Sequence, residues 1–283
     1  MAVTRLQVPV APVARPATDA SGRFGLFGPG SVTWRLMDEP IMWVAGLRAM
    51  YLQALHPRTM RATWQNTAFA RPGEAWGRFG RTVEFVRVRT YGSLADVERA
   101  GRRVRKIHAS LTGTDADGSV IRLDEPELLL WVHCGEVASY ADIAARCGLA
   151  VSAGELDQFV DEQRRSAEVV GLDAGAVPAS VAELNDYYEG MRPSIYACGE
   201  ARRALARSFV PDIPWPFTGL KLVVPPVNAL AFASLPRWAR RMYGTPANPV
   251  TDLSTTLTLR AMHQAATRIP RQLLGAPMPD VAA

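Results

Sequence analysis

The chain has 283 residues, of which 48% are hydrophobic and 21% charged, and its formal net charge is +5. This length and apolar content suffice for a substantial core and exclude an intrinsically disordered protein. No apolar run reaches the roughly 18 residues that a membrane span requires, and the cysteines are too few for a disulfide framework. We therefore expect a globular protein of a reducing compartment and assign it to the cytoplasm.

The positive charge is carried almost entirely by arginine, since lysine occurs only at positions 106 and 221. The densest basic run is Arg102-Arg103-Val104-Arg105-Lys106, and no aromatic residue interrupts it. A groove for nucleic acid normally adds aromatic side chains on which bases stack. The composition therefore argues against a nucleic-acid partner, while peripheral contact with a membrane surface stays open.

Prolines at positions 9, 12 and 16 break the N-terminal apolar stretch, so residues 1–25 lack the continuous segment of a signal peptide. We predict a disordered tail there and a mostly helical chain beyond it. The predicted helices cover about 41–56, 73–91, 94–111 and 126–147, two amphipathic helices after Ser152 and Ser180, and then about 195–209, 219–235, 236–243 and 253–269.

Helix starts are marked by a serine followed three residues later by an acidic residue, as in Ser93/Asp96, Ser152/Glu155 and Ser180/Glu183. Residues 113–119 are predicted to form a turn, and Pro211, Pro214 and Pro216 an irregular link. The segment 219–235 contains two prolines, which favours a broken, buried helix over a membrane helix. The fold class predicted is all-α, with one helical domain over 26–270 and a C-terminal tail over 271–283.

The histidines are the first candidates for chemistry. The chain has four, His56, His108, His133 and His263, and three of them lie in or beside the most apolar helices. His108 shares a helix face with Val97, Gly101 and Val104, so it should point toward the core. Burying an imidazole without a partner costs about 1–3 kcal/mol. His108 should therefore either accept a hydrogen bond in the core or bind a metal or haem iron.

His133 lies in the apolar stretch 128–134, with Glu136 one helical turn further on. The carboxylate could orient the imidazole, as in many metal sites, or the two could form an ordinary buried hydrogen bond. His56 precedes Pro57 at a predicted helix end, where capping of the last carbonyl groups is its simplest role. His263 belongs to no recognisable cluster.

Arg78 and Thr82 lie one turn apart on the helix that precedes the His108 helix. The pair could reach into a shared pocket, with the arginine toward an anionic group and the threonine toward a polar ligand. The alternative is a surface arginine and a threonine hydroxyl bonded to its own helix.

Several common catalytic patterns do not occur in the sequence. It contains no GxGxxG, P-loop, GxSxG, HExxH or CxxCH motif. Residues 115–118 begin like a calcium loop, but the glycine comes too early and the closing glutamate is missing. No hydrolase or nucleotide-binding signature therefore stands out.

In their order and spacing, these residues resemble the MpaB-type/rubber oxygenase family over about residues 26–244. The matching stretches are 28–31, 34–35, 46–57, Arg78 to Thr82 with Val83 and Phe85, 91–92, 104–108 and 124–133, followed by weaker matches at 178–183, 191–193 and 235–241. Each motif is weak by itself, whereas their succession is specific.

The resemblance implies a helical fold with a globin-like core that holds haem b, with histidine as one axial ligand of the iron. Characterised members use this haem and O₂ to cleave carbon–carbon double bonds in isoprenoid chains, and have an Arg-x-x-x-Thr pair near the haem. Arg78 and Thr82 match that pair. His108 takes the axial, iron-binding role, with His133 as the alternative ligand, and Arg78 is expected near a haem propionate.

Two positions depart from the family pattern. Asn66-Thr67 stands where the pattern often has His-Ser, and Arg81 stands where latex-cleaving members have a lysine that can close off the iron. Arginine stays protonated and offers no lone pair, so that gating is not expected here. A small apolar lipid, isoprenoid or natural product is a better-suited substrate than solid rubber.

Three functions remain at this stage. The first is a haem b-dependent oxygenase, with candidate pocket walls at Trp43, Met50, Trp64, Phe85 and Trp131 that could equally be core residues. The second is a non-catalytic haem- or lipid-binding protein. The third is a metal-free enzyme that uses His133 and Glu136 as a general base.

Overall fold

The computed structural model describes residues 24–66, 74–210 and 222–268. Within these ranges the chain forms twelve α-helices and one small hairpin, so the all-α prediction is confirmed. The helices are α1 Val32–Met37, α2 Met42–Gln53, α3 Pro57–Asn66, α4 Glu74–Tyr91, α5 Leu94–Ser110, α6 Pro126–Arg146, α7 Ala153–Val170, α8 Val181–Met191, α9 Gly199–Phe209, α10 Val224–Ala233, α11 Arg237–Met242 and α12 Pro249–Thr267. Short 3₁₀ turns at Ala174–Ala176 and Arg192–Ser194 flank α8.

Local side-chain capping marks several of the helix starts, at Ser31, Ser93, Ser152, Ser180 and Asn248. The Ser93 side chain accepts a hydrogen bond from the Asp96 amide, and Ser152 forms a full capping box with Glu155. Ser180 caps α8 in the same way, but the Glu183 carboxylate turns to the amide of Ala179. Because these signals act within four residues, the sequence is sufficient to place these helix starts.

The core is built around α6, which packs along α2 on one side and α7 on the other. Trp131 of α6 is fully buried, and its indole N–H donates to the Gln53 carbonyl at 2.8 Å. Gly135 lets α2 approach closely, since a Cβ at this position would lie 2.8 Å from the Gln53 Cγ. This central pair of helices, covered by α10, fixes the position of His133.

A β-hairpin connects α5 to α6, where only a turn was predicted. Strand β1, Thr112–Thr114, pairs antiparallel with β2, Val120–Arg122. Gly113 packs against α3 so tightly that a Cβ there would lie 2.8 Å from the Ala62 Cα. The strands are too short to show an alternating pattern, so their pairing depends on this contact with α3.

Several predicted boundaries were wrong. The helix predicted over 41–56 ends at Gln53, and Pro57 begins α3 because proline suits the first helical position. Helix α9 starts at Gly199 instead of 195, and α12 already starts at Pro249. Within 219–235 the described part is helical over Val224–Ala233, with both prolines in the first turn.

None of the helices in the described ranges is both long and apolar enough to cross a membrane. Residues 1–23, most of the predicted N-terminal tail, lie outside the described ranges, as do Pro211, Pro214, Pro216 and the predicted C-terminal tail 271–283. The structure therefore does not test the predicted tails or the predicted irregular link.

Candidate functional site

His108 lies near the C-terminal end of α5, two helical turns after Gly101. Gly101 on the same face comes so close to α7 that a Cβ would lie 2.8 Å from the Val169 Cγ1. The predicted inward direction of His108 is therefore supported. Its ring is half-buried, and Nδ1 is withdrawn from solvent with no hydrogen-bond partner in the described part of the chain.

Burial and two charged groups determine the charge state of His108. Burial lowers the pKa of the imidazole, the nearby Arg78 guanidinium lowers it further, and the Asp124 carboxylate partly opposes both effects. The folded protein therefore holds His108 as a neutral imidazole, which is the form that binds a metal.

Arg78 of α4 lies near enough to His108 for its charge to act on the imidazole. Burial lowers the pKa of its guanidinium, and repulsion by Arg81 adds to this effect. Thr82 is placed differently, because its side chain is exposed and its hydroxyl donates to the Arg78 carbonyl at 3.2 Å. The Thr82 hydroxyl is thus bonded to its own helix, which is the alternative to a pocket role that the sequence left open.

His133, in the middle of α6, is only 5% exposed, and its Nε2 has no partner among the described residues. Burial lowers the pKa of His133 to about 4, against an opposing effect of Glu136 and with a further lowering by Arg89. This histidine is therefore neutral over the whole physiological pH range.

Glu136 does not form the expected hydrogen bond with His133. Its carboxylate instead forms an ion pair with Arg89 of α4, through both oxygens of the carboxylate and both terminal nitrogens of the guanidinium. Sequence reasoning missed Arg89. The available signal was its position on α4, two helical turns after Thr82, which places both residues on one side of the helix.

His56 caps a helix, but at the opposite end from the one predicted. Its Nδ1 accepts a hydrogen bond from the Thr59 amide at 3.3 Å, so it caps the start of α3 instead of the carbonyl groups of α2. His263 lies 3.7 Å from a Glu39 carboxylate oxygen.

A family model described as "ER-bound oxygenase mpaB/B'/Rubber oxygenase, catalytic domain" matches residues 33–268. The chain belongs to this oxygenase family. The match runs from α1 to the end of α12 and includes all the candidate residues. Comparisons with curated proteins and with solved structures gave no match.

In this oxygenase domain the five proposed wall residues do not share one environment. Trp131 belongs to the core, whereas Trp43 and Met50 of α2 are 55% and 43% exposed. Trp64 lies against the guanidinium groups of Arg203 and Arg207. Phe85 is half-buried on α4 and contacts the Arg89 guanidinium, whereas the Trp131 ring lies against that of His56.

Asn66, one of the departures from the family pattern, has a structural role. Its amide donates to the carbonyls of Ala62 and Thr112 and so fastens α3 to β1. Thr67 lies outside the described residues. In the described ranges no three His, Cys, Asp or Glu side chains lie close enough to hold a metal ion, and all three cysteines are free and buried.

Proposed function

We propose that this member of the oxygenase family binds haem b and uses O₂ to oxidise an apolar small molecule, an isoprenoid, lipid or natural product, with cleavage of a carbon–carbon double bond as the expected reaction. The observation that carries the proposal is the half-buried His108, whose Nδ1 is withdrawn from solvent and has no partner in the described chain, and whose ring is within the electrostatic influence of Arg78. When bound, haem b would supply the redox chemistry for activating O₂.

The residues fit such a group in two respects. An axial histidine must be neutral and must have a ring nitrogen free of competing hydrogen bonds, and burial keeps both His108 and His133 in the neutral form. Nδ1 of His108 and Nε2 of His133 each lack a partner within the described residues. We assign the axial role to His108 and retain His133 as the alternative ligand.

Haem also needs a cation for its propionate groups, and Arg78 would supply it. Its guanidinium is partly withdrawn from water and lies near both Arg81 and His108. Arginine binds carboxylates through two parallel hydrogen bonds, which suits a propionate group. Arg78 would therefore bind and orient the cofactor.

Thr82 would hydrogen-bond to a ligand near the distal side of the site. Its hydroxyl now donates to the Arg78 carbonyl, so a rotation about the Cα–Cβ bond is needed before it can reach a ligand. The half-buried Phe85, one turn further along α4, would contribute apolar surface next to it.

The two other functions lead to different expectations. A non-catalytic binder would retain haem without consuming O₂. The metal-free enzyme requires Glu136 to hold the His133 imidazole, but this carboxylate is committed to Arg89. The observed ion pair therefore favours the first two functions over the third.

The test is the absorption spectrum of protein produced with a haem precursor, together with a pyridine haemochrome assay. Wild type should carry about one haem b per chain. His108→Ala should lose most of the haem and keep its helical circular dichroism, whereas His263→Ala, a histidine on α12 paired with Glu39, should retain it.

Loss of haem in His133→Ala with retention in His108→Ala would transfer the axial role to His133. A colourless wild-type protein that also fails to bind added hemin would refute the haem proposal. O₂ consumption by the haem-loaded protein with a panel of alkenes then separates the oxygenase from the passive binder.

A further inference from the structure

Arg240 of α11 is the most deeply buried guanidinium in the described part of the chain. The residue is 1% exposed, and one terminal nitrogen, Nη2, binds the Asp252 carboxylate of α12. The other two nitrogens, Nε and Nη1, are withdrawn from solvent and have no hydrogen-bond partner among the described residues. Donors buried in this way normally bind an ordered water or an ion.

The surroundings of Arg240 carry an excess of positive charge. Asp252 also binds Arg237, and the Asp252 carbonyl accepts a hydrogen bond from Arg146 of α6. Arg146 in turn shares Asp142 with Arg48, which is 2% exposed. Four arginines thus meet two aspartates at the junction of α2, α6, α11 and α12.

Buried positive charge without a matching negative charge is strongly unfavourable. Besides the two aspartates, the Ser234 carbonyl accepts hydrogen bonds at the junction, but Arg48 and Arg146 already donate to it. A neutral water could satisfy the two donors of Arg240 but would leave Arg240 and the half-exposed Arg237 to share the single carboxylate of Asp252. An oxyanion would satisfy the donors and add a negative charge, because its oxygens accept charge-assisted hydrogen bonds from arginine.

We propose that this junction is an anion site in which Arg240 binds a small oxyanion, a phosphate or a carboxylate. The site is built from residues that the haem proposal does not use. The two proposals can therefore fail independently, and the anion site can be tested on haem-free protein.

The experiment measures the melting temperature while inorganic phosphate or acetate replaces sodium chloride at constant ionic strength. A site of this kind should give a saturable rise with at least one of the two anions, since a ligand bound only by the folded state stabilises it. The anion that acts distinguishes a phosphate site from a carboxylate site. ³¹P NMR line broadening provides a direct measure of phosphate binding.

Two substitutions should move the affinity in opposite directions. Arg240→Gln should weaken binding by about tenfold or more, because charge-assisted hydrogen bonds are lost. Asp252→Asn removes a competing carboxylate, so it should strengthen binding. Arg241→Gln, one residue further along α11, is the matched control and should bind as wild type.

If neither anion stabilises wild type beyond the chloride reference, Arg240 is solvated by water and the proposal fails. Should Arg240→Gln not fold, the Asp252→Asn variant still decides the outcome. Unchanged or weaker anion affinity in that variant contradicts a site centred on Arg240.

Discussion

Arg89 of α4 and Glu136 of α6 form an ion pair that joins their two helices one helical turn from His133. The Arg89 side chain is 5% exposed and that of Glu136 19%, so this contact is largely removed from water. The same α4 carries Arg78 and Thr82, whereas α6 carries His133. The ion pair therefore links the two helices that carry these candidate site residues.

Removing one partner of this pair should destabilise the fold. Arg89→Met leaves the Glu136 carboxylate buried without its cation, and we expect a loss of about 3 kcal/mol in the free energy of unfolding. Arg89→Met combined with Glu136→Gln should recover part of that loss, because no unpaired charge remains. Urea denaturation followed by circular dichroism measures both values.

The exposed Arg87–Glu84 pair on the same helix is the control. Arg87→Met should cost less than about 1 kcal/mol, as is usual for ion pairs at the surface. Equal effects of Arg87→Met and Arg89→Met would show that the Arg89–Glu136 contact is not a buried pair.

Stability should decrease on acidification through the titration of His133. Its pKa is lowered from 6.5 in the unfolded chain to about 4 in the fold, so above pH 6.5 the imidazole is neutral in both states and makes no contribution. Between pH 6.5 and 4 the unfolded chain binds the additional proton. The free energy of unfolding should therefore decrease by about 3 kcal/mol as the pH falls over this interval.

His133→Leu provides the comparison, measured by urea denaturation of haem-free protein at pH 7.5 and 4.5. The pKa values of His56 and His108 are also lowered, so both proteins should lose stability on acidification. The loss should be smaller in His133→Leu. Identical losses would mean that His133 does not titrate between these pH values.

Gly101 should be intolerant of any side chain. In Gly101→Ala the new methyl group would lie 2.8 Å from Val169 Cγ1 and 3.0 Å from the Val169 carbonyl oxygen. Because the carbonyl belongs to the α7 backbone, α5 must move away, and we expect a loss of about 1–3 kcal/mol. Haem affinity should fall as well if His108 moves with its helix.

Gly80 is the matched control, since it also lies within a helix but a Cβ added there would meet no atom within 4 Å. Gly80→Ala should raise stability by about 0.5–1 kcal/mol through its helix propensity. Thermal unfolding of the two variants, compared with wild type, tests whether the close approach of α5 and α7 is real.

Thr82→Ala should separate haem binding from oxygen chemistry. The hydroxyl bonds only to its own helix, so we expect haem content and stability close to wild type and slower O₂ consumption with substrate. Thr82→Ser keeps the hydroxyl and should restore the rate. Thr258→Ala removes the same kind of local bond on α12, and should leave O₂ consumption unchanged.

Local signals made much of the fold predictable. Ser93, Ser152 and Pro126 each mark a helix start within a few residues, and the structure has the helices there. Helix α1 has a local cap, since the Ser31 side chain accepts a hydrogen bond from the Trp34 amide, but at six residues it is too short to show a helical period. The Glu162 carboxylate, about 130 residues away, completes the cap by accepting hydrogen bonds from the amides of Val32 and Thr33. No local pattern encodes a cap of that kind.

In the candidate site, too, local patterns were predictable and long-range contacts were not. The inward direction of His108 follows from its spacing with Val97 and Gly101, which a helical pattern makes visible. The pairing of Glu136 depends on Arg89, 47 residues earlier, and on the tertiary structure that brings α4 within side-chain reach of α6. Sequence proximity favoured His133 as the partner, but tertiary packing determined a different one.

The hairpin between α5 and α6 determines where this domain can accept insertions during evolution. Its strand β1 is held by Gln65 and Asn66 of α3, so the course of the chain from the His108 helix to the His133 helix is fixed by a third element. Insertions at the hairpin tip, around Gly118, would extend into solvent and leave both histidines in place. Insertions between Ser110 and Thr112 would change the angle between their helices, so length variation should concentrate at the tip.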